Sequence, residues 1–224
     1  MSEDPEALLP LRLATDGYLA LAAAYVRGRL GAIEGERDAE AVARGHAAGL
    51  RLHRFKRNAE LPRVRRVLGT LHGLAPTSLL DVGSGRGTFL WPLLDELPGV
   101  PVTAIERDAS RARELAAVAA GGAGMLQAAQ ADVTQLAFPD DTFDVSTALE
   151  VLEHLHDPGA AAAELLRVTR RFIVVTVPSR PDDNPEHLRL FSADDLRRLF
   201  EDRGAARVTL SAVHGHHVAV VTVK

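Results

Sequence analysis

The chain has no cysteine in its 224 residues, which excludes a disulfide framework, a thiolate nucleophile and a cysteine-ligated metal. Lysine is nearly missing too. Lys56 and Lys224 are the only two, so almost every basic residue is arginine. With so many alanines alongside, that bias reads as genome base composition rather than function. Aromatic residues make up only 4% of the chain. No stretch approaches the roughly eighteen apolar residues that a membrane-spanning helix needs. The opening Met1-Ser2-Glu3-Asp4 is acidic where a secretory leader would be basic, so a cytoplasmic location is the expectation. A net charge of −4 gives no overall attraction to nucleic acid or an anionic membrane. Repeats, low-complexity runs and a dividing linker are also lacking.

What is present is 46% apolar and 25% charged, ordinary for one globular domain long enough to bury a core. Residues 5–74 read as helical. Leu8, Leu9, Leu11 and Leu13 begin the apolar pattern, Tyr18 to Val26 continue it, and Gly28, Gly31 and Gly35 break it. Further helices are expected over about 39–57 and 62–72, with Pro62 suited to a helix start and Gly73 to a stop. From Thr77 the pattern alternates. Strands are legible at 78–82, 101–105, 125–130, 143–148, 171–177, 206–213 and 216–223, with helices near 87–96, 108–120, 158–168 and 192–203. That order predicts an α/β fold, a doubly wound, mainly parallel seven-stranded sheet. Only His214-Gly215 separates the last two strands, which demands a tight hairpin and an antiparallel final strand. Residues 1–75 are expected to form an N-terminal helical cap, a lid within the same domain, and residues 76–224 the core.

The run Leu79-Leu80-Asp81-Val82-Gly83-Ser84-Gly85-Arg86-Gly87-Thr88-Phe89-Leu90 carries the most information. A short apolar strand ends beside an acid, three glycines follow at alternate positions, and a helical pattern begins. Glycines let a backbone approach a ligand closely, and a helix N-terminus favours anionic or polar groups. The dinucleotide fingerprint has G-x-G-x-x-G spacing; here it is G-x-G-x-G. Nineteen residues after Gly87, the apolar run Val102-Thr103-Ala104-Ile105 ends in Glu106, a carboxylate at a second strand tip able to accept both hydroxyls of a ribose. The pair points to a nucleoside-cofactor site.

With the segments downstream, these residues resemble the class I S-adenosylmethionine-dependent methyltransferases. Asp81 to Gly87 is similar to their glycine-rich first motif, and Glu106, with Arg107 beside it, to their ribose-binding acid. Ala131-Asp132-Val133 matches the acidic position that faces the adenine. Phe143-Asp144-Val145 through Leu149-Glu150-Val151-Leu152-Glu153-His154-Leu155 resembles the fourth strand and the segment after it, and Asn184 to Phe191 a substrate-side segment of one large branch. The nearest likeness is to the small-molecule branch that includes quinone-pathway O-methyltransferases. The resemblance implies S-adenosylmethionine as cofactor, held by Arg63, Asp81, Gly83, Ser84, Gly85, Gly87, Glu106, Arg107, Asp132, Val133 and the backbone at Leu149. Arg63 lies eighteen residues before Asp81, the separation expected of the arginine that helps hold the cofactor. The chain departs from the family before the fifth strand. Where a Lys-Pro-Gly-Gly-type turn is usual, Arg167-Val168-Thr169-Arg170-Arg171 runs almost directly into Phe172-Ile173-Val174-Val175.

Methyl transfer from a sulfonium is an in-line displacement, in which holding the acceptor about 3 Å from the methyl carbon carries much of the acceleration. A hydroxyl acceptor must also lose a proton, and histidine is the natural base near neutrality. Glu150, Glu153 and His154 share one face if their stretch is helical, so the catalytic candidates are His154, Glu150 and His187, with His156 as another imidazole. Three readings stay open there: packing and capping, general base, or metal ligands. The last is similar to the set in small-RNA 3′-terminal 2′-O-methyltransferases, with His187 as a fourth ligand. No metal is the working expectation.

Arg44, Arg51, Arg54, Lys56, Arg57, Arg63, Arg65 and Arg66 face a single acid, Glu60, within residues 44–66. That segment suits either a solvated helix face or an RNA-docking surface; with only Phe55 for stacking, single-stranded RNA fits poorly. His214, His216 and His217 are expected in an exposed turn away from the active end of the sheet. The leading expectation is a methyltransferase acting on an O, N or C atom of a small molecule. An RNA methyltransferase docking through 44–66 is the alternative, with a dinucleotide oxidoreductase and a silent cofactor-binding module behind it.

Overall fold

A computed structural model describes residues 16–55 and 58–224. The expected helix start at Leu8 to Leu13, and Lys56 and Arg57 of the basic segment, lie outside the described residues. The helices are α1 (Asp16–Leu30), α2 (Asp38–Ala47), α3 (Pro62–Leu74), α4 (Leu90–Glu96), α5 (Ala109–Ala120), α6 (Pro158–Val168) and α7 (Ala193–Glu201). The strands are β1 (Leu79–Val82), β2 (Val102–Glu106), β3 (Leu126–Gln130), β4 (Phe143–Leu149), β5 (Thr169–Pro178), β6 (Arg207–Val213) and β7 (His216–Thr222).

The seven strands form one sheet in the order β3-β2-β1-β4-β5-β7-β6. β1 pairs in parallel with both β2 and β4, and β7 alone points against the direction of the other six strands. Chain order moves outward from β1 through β2 to β3, then returns to β4 on β1's other side. That reversal opens a crevice at the carboxyl ends of β1 and β4, where ligands of open α/β sheets bind.

Alternation along the strands sorts the core onto two faces. Leu79, Val102, Ala104, Val145 and Val174 pack against α1 to α5, while Leu80, Ile105, Ile173, Val175 and Val177 pack against α6 and α7. Short buried strands flanked by amphipathic helices are what the period-2 and period-3.6 patterns dictate.

Among the described N-terminal helices, α3 brings Arg63 and Val64 toward the carboxyl end of the sheet, whereas α1 packs on α5. α1 lies along α5 with backbones nearly touching: a Cβ on Gly28 would fall 1.8 Å from the Ala117 carbonyl oxygen, and one on Gly121 1.7 Å from that of Ala24. An alanine- and glycine-rich face allows this approach, so α1 thickens the helical layer. The helix expected over 39–57 stops at Ala47, because Gly49 takes φ +74 and a 3-10 turn (Leu52–Arg54) follows. Among the described residues, no helix is long and apolar enough to cross a membrane.

The missing turn before the fifth strand has a concrete form. α6 ends at Val168 and β5 starts at Thr169, with no residue between. The β4–β5 register shifts between Phe143 and Val145 to absorb the abrupt join. Arg171 grips Asp144 there, donating to both carboxylate oxygens at 2.6 and 2.7 Å, and this holds the Asp144 carboxyl well below the usual carboxylate range. Arg167 donates to the carbonyls of Leu136 and Phe138 and to Glu164, tying down the connection from β3 to β4.

Forcing a side chain between α1 and α5 would push the helices apart. Gly28→Val is expected to lower the unfolding free energy by about 3 kcal/mol, at the upper end of overpacking costs, in urea denaturation. A loss below about 0.5 kcal/mol, the size of an ordinary surface change, would contradict this contact.

Candidate active site

The loop after β1 can close only with glycine at its turning points. Gly83, Gly85 and Gly87 have φ +68, +56 and +86, a region that side chains with a Cβ disfavour. Space forbids a Cβ as well: at Gly83 it would lie 2.6 Å from Val151 Cγ2, and at Gly87 1.7 Å from Trp91 Nε1. The Gly83 and Ser84 N–H groups donate to the Ile105 carbonyl, binding the loop to the end of β2. Trp91 Nε1 donates to the Arg86 carbonyl at 3.0 Å, bracing the loop from behind.

Two buried carboxylates flank this loop. Asp81 accepts from Ser84 Oγ at 2.6 Å and from Thr147 Oγ1 at 2.8 Å. Burial pushes its carboxyl up to about 6, with the nearby Glu106 charge adding and the two hydroxyl bonds opposing. Glu106 accepts the N–H of Gly85 on one oxygen and that of Asp108 on the other, both at 2.9 Å. A carboxylate has about four acceptor sites, so Glu106 keeps capacity for a ligand while anchoring the loop.

These groups line one cavity of about 670 Å³ at the carboxyl ends of β1, β2 and β4, within the size range of small-molecule sites. Arg63, Asp81, Gly83, Ser84, Gly85, Glu106, Arg107, Asp132, Val133, Leu149, Glu150 and His154 all line it; Gly87 and His187 do not. Gly87 instead packs against Trp91. Asp132 accepts from the N–H and hydroxyl of Thr134, and these bonds hold its carboxyl below the ordinary range. Arg86, Arg111, His156 and Leu188 line the cavity without having been singled out as cofactor residues; they sit in loops or on a helix flank, where no periodic signal marks them.

The Glu150–His154 segment is not a continuous helix, so the expected shared face dissolves. Glu150 has φ +56 and turns its side chain to β5, accepting from Thr176 Oγ1 at 2.8 Å. A 3-10 turn (Leu152–His154) then carries Glu153 inward and His154 to the cavity. One ligand atom each of Glu153, His154 and His187 lie within 4.8 Å of one another. His154 Nδ1 is 3.0 Å from the Glu186 carbonyl, and His187 Nδ1 is 2.8 Å from Asp182. Glu153 is fully buried, and neither of its carboxylate oxygens has a hydrogen-bond partner among the described residues. Burial, joined by the Glu150 charge, pushes its carboxyl up to about 8.

Two expectations are corrected. The His214–His217 hairpin is not remote from the active end. Because β7 is antiparallel, His216 pairs with Pro178 at the carboxyl end of β5, and its Nε2 stands 3.0 Å from Glu150. Nor is residues 44–66 one open basic face. Arg44 is engaged by Glu36 and the Gly31 carbonyl, and Arg63 points to the cavity.

A carboxyl raised in the folded protein binds a proton more tightly there than in the unfolded chain. Its destabilising effect is therefore absent below about 4.5 and grows as pH rises toward about 8. In metal-free protein, Glu153→Gln should melt at a higher temperature than the parent at pH 8, with the gap closing toward pH 4. Equal melting temperatures at both pH values would show that Glu153 carries no such penalty.

A profile of the family described as "Methyltransferase domain" matches residues 50–210. Nocamycin O-methyltransferase of Saccharothrix syringae is 36% identical over 111 residues, which cover 49% of this chain and 40% of that protein. A "Probable S-adenosylmethionine-dependent methyltransferase" of Mycobacterium tuberculosis is 33% identical over 97 residues, covering 38% and 35%. The chain thus spans well under half the length of these curated relatives. Among solved structures, a SAM dependent methyltransferase from Aquifex aeolicus superposes with a TM-score of 0.63 at 22% identity, over 74% of this chain and 92% of that one; at that identity the likeness carries the fold. With the family profile spanning the glycine loop, both strand-end acids and the segment that carries His154, the chain belongs to the methyltransferase-domain family and has the class I fold that its motifs resemble.

Proposed function

We propose that the cavity binds S-adenosylmethionine and that the protein methylates a small molecule through a hydroxyl or phenol. Residues 76–224 are then the cofactor-binding core, with α1, α2 and α3 as a helical cap of the same domain. The observation that carries the reading is Glu106, fixed at the tip of β2 by the same N–H that shapes the glycine loop. The residues fit the group: Gly83 and Gly85 bring bare backbone to the cavity wall at positive φ, and Glu106 retains acceptor capacity beside them. Glu106 takes the ribose hydroxyls, Asp132 and Val133 border the adenine, and the glycine loop with Arg63 holds the methionine end. S-adenosylmethionine supplies the electrophilic methyl group.

His154 is the base of this reading. With Nδ1–H donated to the Glu186 carbonyl, its Nε2 keeps the lone pair that accepts the acceptor's proton. Leu155 and Leu188 line the cavity beside it. Glu150, turned to Thr176 and His216, shapes the cavity wall rather than moving a proton.

A second reading is favoured by Glu153. Its two unpartnered oxygens lie beside two imidazoles whose Nδ1 atoms are each engaged, the outer bonding that orients metal-ligating histidines. In that reading Glu153, His154 and His187 hold a divalent cation next to the acceptor, and Glu150 is not a ligand.

Calorimetric titration of S-adenosylhomocysteine should give micromolar binding, weakened about tenfold to a hundredfold in Glu106→Ala by loss of charge-assisted hydrogen bonds. Absence of binding to the parent protein would overturn the reading. Once screening provides a hydroxyl acceptor, His154→Ala should lower the rate about 10²–10⁴-fold at unchanged homocysteine-conjugate affinity. Manganese or zinc raising the melting temperature of the parent but not of Glu153→Ala would replace the base reading by the metal reading.

A further inference from the structure

The wall of the cavity at the end of β4 contains a residue that needs holding. Glu150 carries a Cβ and yet sits at φ +56, a conformation that persists only where its surroundings fix it. Three contacts do so. The Glu150 N–H donates to the Thr176 carbonyl at 3.0 Å, Thr176 Oγ1 donates to Oε1 at 2.8 Å, and His216 Nε2 stands 3.0 Å from Oε2. The imidazole is itself aimed, because His216 Nδ1 is 3.0 Å from the His214 carbonyl. Both ring nitrogens therefore face oxygen acceptors, which fixes the ring between β5, β7 and the Glu150 carboxylate.

Arg63 looks at the same carboxylate oxygen from α3, but from 3.9 Å. That is too far for a hydrogen bond. Two side-chain donors approach one carboxylate oxygen, and the imidazole stands at hydrogen-bond distance while the guanidinium does not. Arginine and carboxylate form a strong bidentate pair when nothing prevents it. Without the imidazole, Glu150 would draw Arg63 across and bury its donors in a pair. With the imidazole in place, Arg63 lines the cavity and, among the described residues, its contact to Glu150 stays at 3.9 Å.

We propose that His216 is a positioning residue for the methyl-transfer site: by occupying the Glu150 carboxylate, it keeps Arg63 free for the anionic end of the bound cofactor. This rests on the cofactor site proposed above. The group it serves is a carboxylate, the one anionic group of S-adenosylmethionine.

Two probes separate this role from simple support. S-adenosylhomocysteine has the amino-acid carboxylate, and 5′-methylthioadenosine has the same nucleoside without it. His216→Phe should lose about tenfold in affinity for S-adenosylhomocysteine and keep its affinity for methylthioadenosine, both read by calorimetry. His216→Gln, whose amide can still donate to Glu150, should stay near the parent. Adding Glu150→Gln to His216→Phe removes the carboxylate that captures Arg63 and should restore most of the lost affinity. Equal loss for both probes, or no loss for either, would overturn the proposal while leaving the cofactor site standing. A parent protein that binds neither probe would overturn the cofactor site and the proposal together.

Discussion

The architecture turns on a buried acid at the fork of the sheet. Asp81 is the last residue but one of β1, where the chain order reverses, and its oxygens are claimed from two sides: Thr147 on β4 and Ser84 in the glycine loop. One carboxylate thus joins the two strands that border the crevice to the loop that covers it. Burying a charge is costly unless polar partners meet it, and the raised value of Asp81 records that two hydroxyls only partly offset the burial. Glu106 repeats the arrangement one strand over, using backbone donors. The glycine loop is therefore held in shape by side chains as well as by its own dihedrals.

Much of this was legible in the chain. Short apolar runs and helical repeats mark their elements by local spacing, and six of the seven strands fall within one residue of the expected bounds at each end. β5 starts at Thr169 and ends at Pro178 around an expected 171–177. The glycines and strand-end acids were legible for the same reason, since backbone geometry and chain order alone bring them together. Helix α2 ended early because a single glycine, Gly49, can stop a pattern that neighbouring residues would continue.

What spacing could not show was the meeting of distant residues. Nothing near Glu150 in the chain announces His216, sixty-six residues on; only the reversed direction of β7 brings it there. The signal was available in the His214-Gly215 turn, because an antiparallel return strand starts where its partner ends. Spacing misled in the other direction at Glu150, Glu153 and His154. Three- and four-residue intervals put side chains on one face only in a helix, and here a left-handed residue followed by a 3-10 turn sends Glu150 and Glu153 to different surroundings. The same holds for residues 44–66, where arginines crowded in sequence are spent on separate partners, Arg44 on Glu36 and Arg65 on Glu60.

The seamless junction of α6 and β5 bears on how such a protein can diversify. Connections from a helix into the next strand lie at the end of the sheet away from the cavity, and most have residues to spare. Here Val168 closes a helix and Thr169 opens a central strand, while Arg171 locks the neighbouring bulge. An insertion at that point would shift the register of β5 against β4, and with it every residue at the cavity end of both strands. Evolutionary change in acceptor choice is thereby channelled into the loops around residues 131–142 and 179–191, which border the cavity without setting the frame of the sheet.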